Sequence, residues 1–133
     1  MWKIVGVNGP SMLPNIDSNN SILFLDCFTT NFLRKPRIGD VIVAQNPLKP
    51  RGATVVKRVL YVEGEIAEFF DIRTQRNEKV IIPPNHIWVE GDNPNNSRDS
   101  RHYGPISLEL VQGIVRFKLW PFNQFGQSLR VKI

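Results

Sequence analysis

Three side chains suited to acyl transfer lie far apart in this sequence. Ser11 stands between two prolines in GPSMLPN, Lys57 lies in VVKRVL, and Ser97 lies in GDNPNNSRDSR. A serine hydroxyl is a weak nucleophile until a neighbouring base removes its proton, and a lysine can serve as that base. The flanking prolines would fix the serine backbone and lower the entropic cost of attack. His86 and His102 have no sequence link to Ser11, and we predict turn or surface roles for both.

Lys57 stands where a cation is unusual. In the predicted strand TVVKRVLYV, alternation gives Lys57 and Arg58 opposite faces, and valines surround both. Burial can lower a lysine pKa by about 3–5 units, from roughly 10.4 into the working range of a general base. The alternative is that both long side chains run along the strand and reach water at an edge.

The polar segment GDNPNNSRDSR contains the third hydroxyl and two carboxylates. Arg58 cannot lose its proton, so we expect it to pair with either Asp92 or Asp99. Taken alone, the segment is typical of a solvated surface turn. Considered with Ser11 and Lys57, it supplies Ser97 as a hydroxyl that can orient a neutral lysine.

A β-rich fold must bring these residues together. Short apolar or alternating runs are separated by turn residues, and the chain has ten prolines and nine glycines. We therefore predict an antiparallel β-barrel or sandwich with little helix, in one domain over residues 1–133. One helical turn is expected at Ser107–Val111, with Ser107 as its cap. The predicted strands are Trp2–Val7, Ile22–Cys27, Val41–Gln45, Thr54–Val62, Ala67–Ile72, Lys79–Ile82, Ile87–Glu90 and Ile114–Leu119.

Composition narrows the possible partners. The chain of 133 residues is 41% hydrophobic and 22% charged, with a net charge of +5. Its basic residues are scattered rather than clustered, so no nucleic-acid partner is predicted. Cys27 is the only cysteine, and no metal or cofactor is expected. Apolar runs reach only about six residues, against the roughly 20 of a spanning helix. We expect a soluble domain, or one whose membrane anchor lies upstream of Met1.

Four segments resemble those of one enzyme family. GPSMLP, IGDVIVAQ, VVKRV and GDNPNNSRDSRHYGPI are similar, in the same order, to the signature segments of the type I signal peptidases, and they span residues 8–106. IWVEGDN, SRDSRHYGPI and FKLWP most resemble the mitochondrial inner membrane protease branch, its first catalytic subunit more than its second. The resemblance implies the antiparallel β domain of that family.

The resemblance also implies roles for individual residues. Ser11 would be the nucleophile, Lys57 its general base and Ser97 the hydroxyl that orients the lysine. The Ser11 backbone N–H would donate one hydrogen bond to the oxyanion. Gly9 stands where some bacterial relatives have a serine as the second donor, so the sequence identifies no second donor. An ionic support beneath the site would be formed by Arg58, Asp99 and Arg101.

The substrates implied are membrane-tethered precursor polypeptides with small side chains at the first and third positions before the cleaved bond. The implied location is the mitochondrial inner membrane, facing the intermembrane space, with a possible sister catalytic subunit. Two alternatives remain: a bacterial signal peptidase on the outer face of the cytoplasmic membrane, and an inactive β-module that binds a sister protease subunit.

Aromatic residues give independent support for contact with a membrane surface. Trp2, Trp120, Phe122 and Phe125 lie near the two ends of the sequence, and such rings favour the lipid–water boundary. For Trp120 and Phe122, packing in the core is an equally good interpretation.

Overall fold

The computed structural model describes residues 1–16, 20–49 and 53–130. Strands dominate it, and the helical elements are short. The strands are β1 (Trp2–Val7), β2 (Ser21–Asp26), β3 (Val41–Gln45), β4 (Thr54–Val62), β5 (Ile66–Asp71), β6 (Arg76–Ile81), β7 (His86–Glu90), β8 (Ile106–Ser107) and β9 (Val111–Trp120). The helices are a π-helical turn at Thr29–Leu33, 3-10 turns at Pro94–Asn96, Leu108–Leu110 and Phe122–Gln124, and the α-helix α1 (Ser100–Tyr103).

Seven of the strands form one antiparallel sheet in the order β1-β2-β9-β3-β4-β7-β8, and β5 and β6 form a separate hairpin. The large sheet is curled into a half-barrel. This confirms the predicted antiparallel β class with little helix. Of the helices in the described part of the chain, none has the length and apolar character needed to cross a bilayer.

The core lies on both faces of the curled sheet. Along β3, Val41 and Val43 pack into one buried cluster, and Ile42 and Ala44 pack into another. Covering both faces explains why the central strands read as continuous apolar runs rather than as a strict alternation. A third cluster fixes the hairpin to the sheet through Trp88, which is fully buried.

The predicted strands agree with the structure to within a few residues. The bounds of β1, β3 and β4 are those predicted. The bounds of β2, β5, β6, β7 and β9 differ by one to three residues at one or both ends, and the two-residue strand β8 was not predicted. The predicted turn after β8 is present, and the Ser107 hydroxyl accepts a hydrogen bond from the Glu109 N–H at 3.2 Å.

The segment after β7 is more ordered than its composition suggests. It holds the 3-10 turn Pro94–Asn96 and α1, whose cap is Asp99. The Asp99 side chain accepts from the Arg101 N–H, and the Asp99 N–H donates to the His102 ring, each at 3.2 Å. These reciprocal hydrogen bonds form a capping box. Because they fix the start of α1, the segment is an ordered support rather than a solvated loop.

The register of β4 leaves part of this strand with a free edge. Its partner β3 pairs with positions from Thr54 to Arg58, whereas β7 pairs only from Arg58 to Val62. Lys57 is thus the last residue before β7 begins to pair. Among the described strands, none pairs with residues 54–57 on the side away from β3. Their N–H and C=O groups on that side can therefore bind another strand.

Candidate active site

Ser11 and Lys57 line the same pocket, which has a volume of about 370 Å³. Ser11 comes from the turn after β1, and Lys57 comes from the centre of β4. Residues 6–9 at the end of β1 and residues 53–56 on the free edge of β4 line its sides. Two apolar side chains, Met12 and Ile16, complete the lining. The fold thus brings together the serine and the lysine proposed from the sequence.

Lys57 is buried, and its ammonium nitrogen has a defined partner. Only 4% of the residue is exposed, and its Nζ donates to the Ser97 Oγ at 3.0 Å. The Ser97 hydroxyl in turn donates to the Asp99 Oδ2 at 2.7 Å. A hydroxyl has one hydrogen, and since Ser97 gives it to the carboxylate, its oxygen can only accept from the lysine.

Asp99 carries the charge at the end of this chain of hydrogen bonds. It is fully buried and accepts from Arg101 Nε at 2.9 Å and Nη2 at 2.8 Å, and from the Gly91 N–H at 3.0 Å. Burial by itself raises the pKa of Asp99, but the hydrogen bonds from Arg101, Gly91 and Ser97 outweigh it and leave the pKa below its usual value. Asp99 is therefore a carboxylate at neutral pH.

The surroundings of Lys57 make its protonated form less stable than that of a lysine in water. Burial lowers the pKa of Lys57 below its ordinary 10.5, the Asp99 charge opposes that change, and the Arg101 charge adds to it. Arg101 thus satisfies Asp99 and weakens its attraction for a protonated lysine. Such a perturbed amine in a pocket is a candidate general base.

Arg58 pairs with Asp92 and not with Asp99. Its Nε and Nη2 donate to the two Asp92 oxygens, each at 2.8 Å, and its Nη1 donates to the Gly39 and Leu129 carbonyls. The ionic groups expected to form one support are thus two separate pairs, since Asp99 is bound by Arg101. Arg58 donates to both Asp92 oxygens and Arg101 donates to both Asp99 oxygens, so each planar guanidinium is matched by a carboxylate of its own.

The turn that carries Ser11 is held from the same segment. The Asn93 N–H donates to the Ser11 carbonyl at 2.8 Å, and the Asn93 Nδ2 donates to the Pro10 carbonyl at 3.0 Å. Asp92, besides binding Arg58, accepts from the Asn15 Nδ2 at 2.8 Å. The nucleophile candidate and the lysine candidate are therefore both held by residues 92–97 of one segment.

Gly91 makes this close approach possible. A Cβ at this position would overlap the Ser97 Oγ and lie 2.6 Å from the Ser11 carbonyl oxygen. Only glycine lets the backbone pass between the two serines. Sequence reasoning missed Gly91, Asn93 and Asn15 because their roles depend on contacts between distant segments.

The aromatic residues near the two ends of the chain lie at the surface. Trp2 is 67% exposed, Phe122 75% and Phe125 63%. Trp120 is 41% exposed, and its ring packs against that of Phe122 with their centroids 4.5 Å apart. Core packing is therefore excluded for Phe122, and Trp120 is only partly covered.

Comparison with known proteins identifies the class. Residues 63–120 match the family described as signal peptidase, peptidase S26. The fold is similar to that of a signal peptidase I from Enterococcus faecalis, with a TM-score of 0.51 at 22% identity, over 61% of this chain and 97% of that one. A protease subunit from Mus musculus is 38% identical over 123 residues, which is 92% of this chain and 72% of the relative. The chain belongs to the signal peptidase family, peptidase S26.

The relatives define the branch of the family. The Mus musculus protein is mitochondrial inner membrane protease subunit 1. Mitochondrial inner membrane protease subunit 2 of Danio rerio is 32% identical over 112 residues, 84% of this chain and 58% of the relative. Both subunits of that protease are thus similar to this chain, and the predicted resemblance to this branch is confirmed. Among the described residues, no group of three or more His, Cys, Asp or Glu side chains is arranged to hold a metal ion.

Proposed function

We propose that the protein is a serine endopeptidase that cleaves precursor polypeptides with Ser11 as nucleophile and Lys57 as general base. The observation that carries the proposal is the burial of Lys57 in the pocket that Ser11 also lines, with its Nζ 3.0 Å from the Ser97 Oγ. A neutral amine has two hydrogens and one lone pair. One hydrogen is used on Ser97, so the amine is oriented and its lone pair stays available for the Ser11 proton.

The first half of the reaction forms an acyl-enzyme. The Ser11 oxygen attacks the peptide carbonyl carbon while Lys57 takes the serine proton. The carbonyl electron pair moves to oxygen, where the Ser11 N–H donates a hydrogen bond to the oxyanion. The tetrahedral intermediate then collapses, and the Lys57 ammonium gives its proton to the departing amine. The new amino terminus leaves, and the shorter segment remains as an ester on Ser11.

The second half returns the enzyme to its starting state. Water enters, and Lys57, neutral again, removes a proton as the water oxygen attacks the ester. The proton passes to the Ser11 oxygen when the ester bond breaks. Asp99 holds Ser97 throughout, so Ser97 and Asp99 orient the lysine, and Arg101 binds both Asp99 oxygens. Arg58 binds Asp92 and thereby positions the segment that carries Ser97, Asp99 and Arg101.

The pocket suits an extended peptide. Residues 54–57 of β4 have a free edge, and residues 6–9 line the same pocket. A substrate strand in this position would make main-chain hydrogen bonds, and side chains pointing inward would meet the long or branched apolar side chains of Met12, Ile16 and Val56. This geometry supports precursors with small residues before the cleaved bond.

The relatives support the place of action. We propose the mitochondrial inner membrane as the site, with the catalytic domain over residues 1–133 facing the intermembrane space and a sister subunit as partner. Similarity to both subunits of the mitochondrial protease supports this over the bacterial alternative. The exposed rings of Trp120, Phe122 and Phe125 supply apolar surface for contact with the bilayer, whereas Trp2 pairs with Asp26 at the other end of β2.

The decisive experiment compares wild type with three variants on a panel of precursor peptides. Ser11→Ala and Lys57→Met are expected to abolish cleavage, because the first lacks the nucleophile and the second lacks the base. Ser97→Ala is expected to lose less, about 10–100-fold, since it orients the base rather than reacting. An acylating inhibitor should label Ser11 in wild type and not in Lys57→Met.

Asn96→Ala is the matched control, because Asn96 is exposed in the same segment. Retained cleavage by Lys57→Met with an unchanged melting temperature would contradict the mechanism. Failure of wild type both to cleave and to be labelled would favour the inactive β-module.

A further inference from the structure

Asn93 binds the main chain on both sides of Ser11. Its side-chain nitrogen donates to the Pro10 carbonyl at 3.0 Å, and its backbone N–H donates to the Ser11 carbonyl at 2.8 Å. Asn93 follows β7, so these bonds join the nucleophile turn to a distant part of the chain. Two successive peptide groups are thereby fixed by one residue.

The first of these bonds sets the direction of the Ser11 N–H. The Pro10 carbonyl and the Ser11 N–H belong to one planar trans peptide group, so they point in opposite directions. The Pro10 oxygen also accepts from the Leu13 N–H at 3.1 Å. Because Asn93 and Leu13 both hold this oxygen, rotation of the peptide group would break two hydrogen bonds. The Ser11 N–H therefore keeps one direction, away from Asn93.

Asn93 is itself held in place by its neighbour. The Asp92 carboxylate takes two hydrogen bonds from Arg58 and one from Asn15, each 2.8 Å long. The Asp92 N–H lies 3.4 Å from the Met12 sulfur. The segment is thus fixed both to β4, which carries Lys57, and to the turn that carries Ser11. Because its own position is fixed, the Asn93 side chain can determine the geometry of the turn that carries Ser11.

We infer that Asn93 is a positioning residue for oxyanion stabilisation: it holds the Pro10–Ser11 peptide group so that the Ser11 N–H faces the carbonyl oxygen under attack. The inference rests on the proposed function. A hydrogen bond to the carbonyl of a peptide group also polarises its N–H and makes it a better donor. Gly9 has no side chain to offer as a second donor, so the direction of the backbone donor carries more of the stabilisation.

The test replaces the side-chain donor of Asn93 by an acceptor and measures the effect on kcat and KM. Asn93→Asp keeps the size, the turn preference and the backbone N–H, but it turns an oxygen towards the Pro10 carbonyl. Complete loss of an oxyanion donor lowers kcat by about 10²–10³. Misdirection of the donor is expected to lower kcat about 10–100-fold with KM changed less than about threefold. Asn96→Asp, which adds the same charge to the exposed part of the segment, should keep the wild-type kcat.

A second readout separates oxyanion stabilisation from general damage. In a complex with a peptide aldehyde, the Ser11 oxygen bonds to the aldehyde carbon, the carbonyl electron pair moves to oxygen, and the serine proton goes to Lys57. The resulting hemiacetal places its oxygen where the oxyanion forms. Asn93→Asp should weaken aldehyde binding by about the same factor as kcat, and should leave the affinity of an uncleavable peptide with proline after the bond unchanged.

The outcomes separate this inference from the proposed function. If Ser11→Ala still cleaves, the proposed function fails. If Ser11→Ala is inactive but Asn93→Asp matches Asn96→Asp in kcat, the inference about Asn93 is wrong. It is also wrong if Asn93→Asp weakens the aldehyde and the uncleavable peptide equally. If Asn93→Asp melts at a lower temperature than Asn96→Asp, the same measurements are made on Asn93→Ser. This variant shortens the side chain without adding charge, and the same criteria apply to its result.

Discussion

The hydrogen bonds around Lys57 all lead towards the Asp99 carboxylate. Arg101 donates to Asp99, and Ser97 donates to Asp99 and accepts from Lys57. Each group in this series has one role available to it, because the arginine can only donate and the carboxylate can only accept. The direction of the series therefore follows from the ionised pair at its end, and this pair sets the orientation of the amine.

The same pair governs the pH dependence of cleavage. Lys57 is expected to act only when neutral, so kcat/KM should fall as pH drops through the pKa of Lys57. The Arg101 charge lowers that pKa, and Arg101 also neutralises the Asp99 charge, which raises it. Arg101→Gln removes both effects. Asp99 keeps its hydrogen bonds from Gly91 and Ser97 and stays ionised, so each removal raises the pKa of Lys57. The acidic limb of the kcat/KM profile should therefore move to higher pH.

Arg98→Gln is the control for this prediction, since Arg98 is exposed in the same segment and its removal changes the net charge equally. Full pH profiles of the two variants and wild type, measured with one peptide substrate, provide the comparison. An unmoved limb in Arg101→Gln, or an equal displacement in Arg98→Gln, would contradict the role given to Arg101.

Between elements, buried carboxylates fix the strands that position the site. Asp26, at the end of β2, accepts from the Thr29 N–H at 3.0 Å and the Thr29 hydroxyl at 2.6 Å, and from the Arg116 Nε of β9 at 2.9 Å. It thereby joins β2, the π-helical turn after it, and β9. Asp40, at the start of β3, accepts in the same way from Arg34 and Arg130.

Asp26 should make part of the stability depend on pH. Burial by itself raises the pKa of Asp26, but the hydrogen bonds from Thr29 and Arg116 outweigh it and lower the pKa from 3.8 to about 2. The pKa of Asp26 in the folded protein lies below its pKa in the unfolded chain. The stabilisation is therefore complete above about pH 3.8 and is lost as pH falls through about 2. Asp26→Asn should therefore lower the free energy of unfolding at pH 7 and much less at pH 2.

Urea unfolding of both proteins across this pH range measures the difference. Glu68→Gln is the control, because Glu68 is exposed and its ion pair with Lys79 is 3.6 Å long. Such exposed pairs contribute at most about 1 kcal/mol. A destabilisation by Asp26→Asn that is equally large at pH 2 and pH 7 would show that packing, and not charge, explains the effect.

Across the whole molecule, sequence patterns predict best where local signals agree with the fold. β4 is predicted to the residue because its β-branched run is buried on both faces. The segment after β7 is predicted less well, since its helical turns depend on the pairing of Asp99 with Arg101 and His102. The choice of Asp92 as the partner of Arg58 likewise depends on register, which composition does not reveal. Of the three proposed site residues, only Lys57 is of a type unusual in its place, and Ser11 and Ser97 were proposed because their segments accompany it in the order of the family.

The position of the exposed rings relative to the pocket predicts how the molecule meets a bilayer. Ile22 pairs with Gly6 on one side and with Trp120 on the other, and Gly6 lines the pocket. Trp120 and Phe122 therefore lie at the same end of the sheet as Gly6 and the pocket. Contact through these rings would bring the pocket to the membrane surface. Phe32, which is 65% exposed, follows the opposite end of β2.

Phe122→Ser should accordingly reduce partition of the protein onto neutral phosphatidylcholine vesicles by about tenfold, because burying such a ring contributes about 1.5–3 kcal/mol. Cosedimentation at high salt measures this apolar contribution, since salt screens the attraction of a chain with a charge of +5. Phe32→Ser serves as the matched ring and should keep the wild-type partition. Equal losses in the two variants would mean that contact is spread over both ends of β2, and the orientation with the pocket at the membrane surface would be wrong.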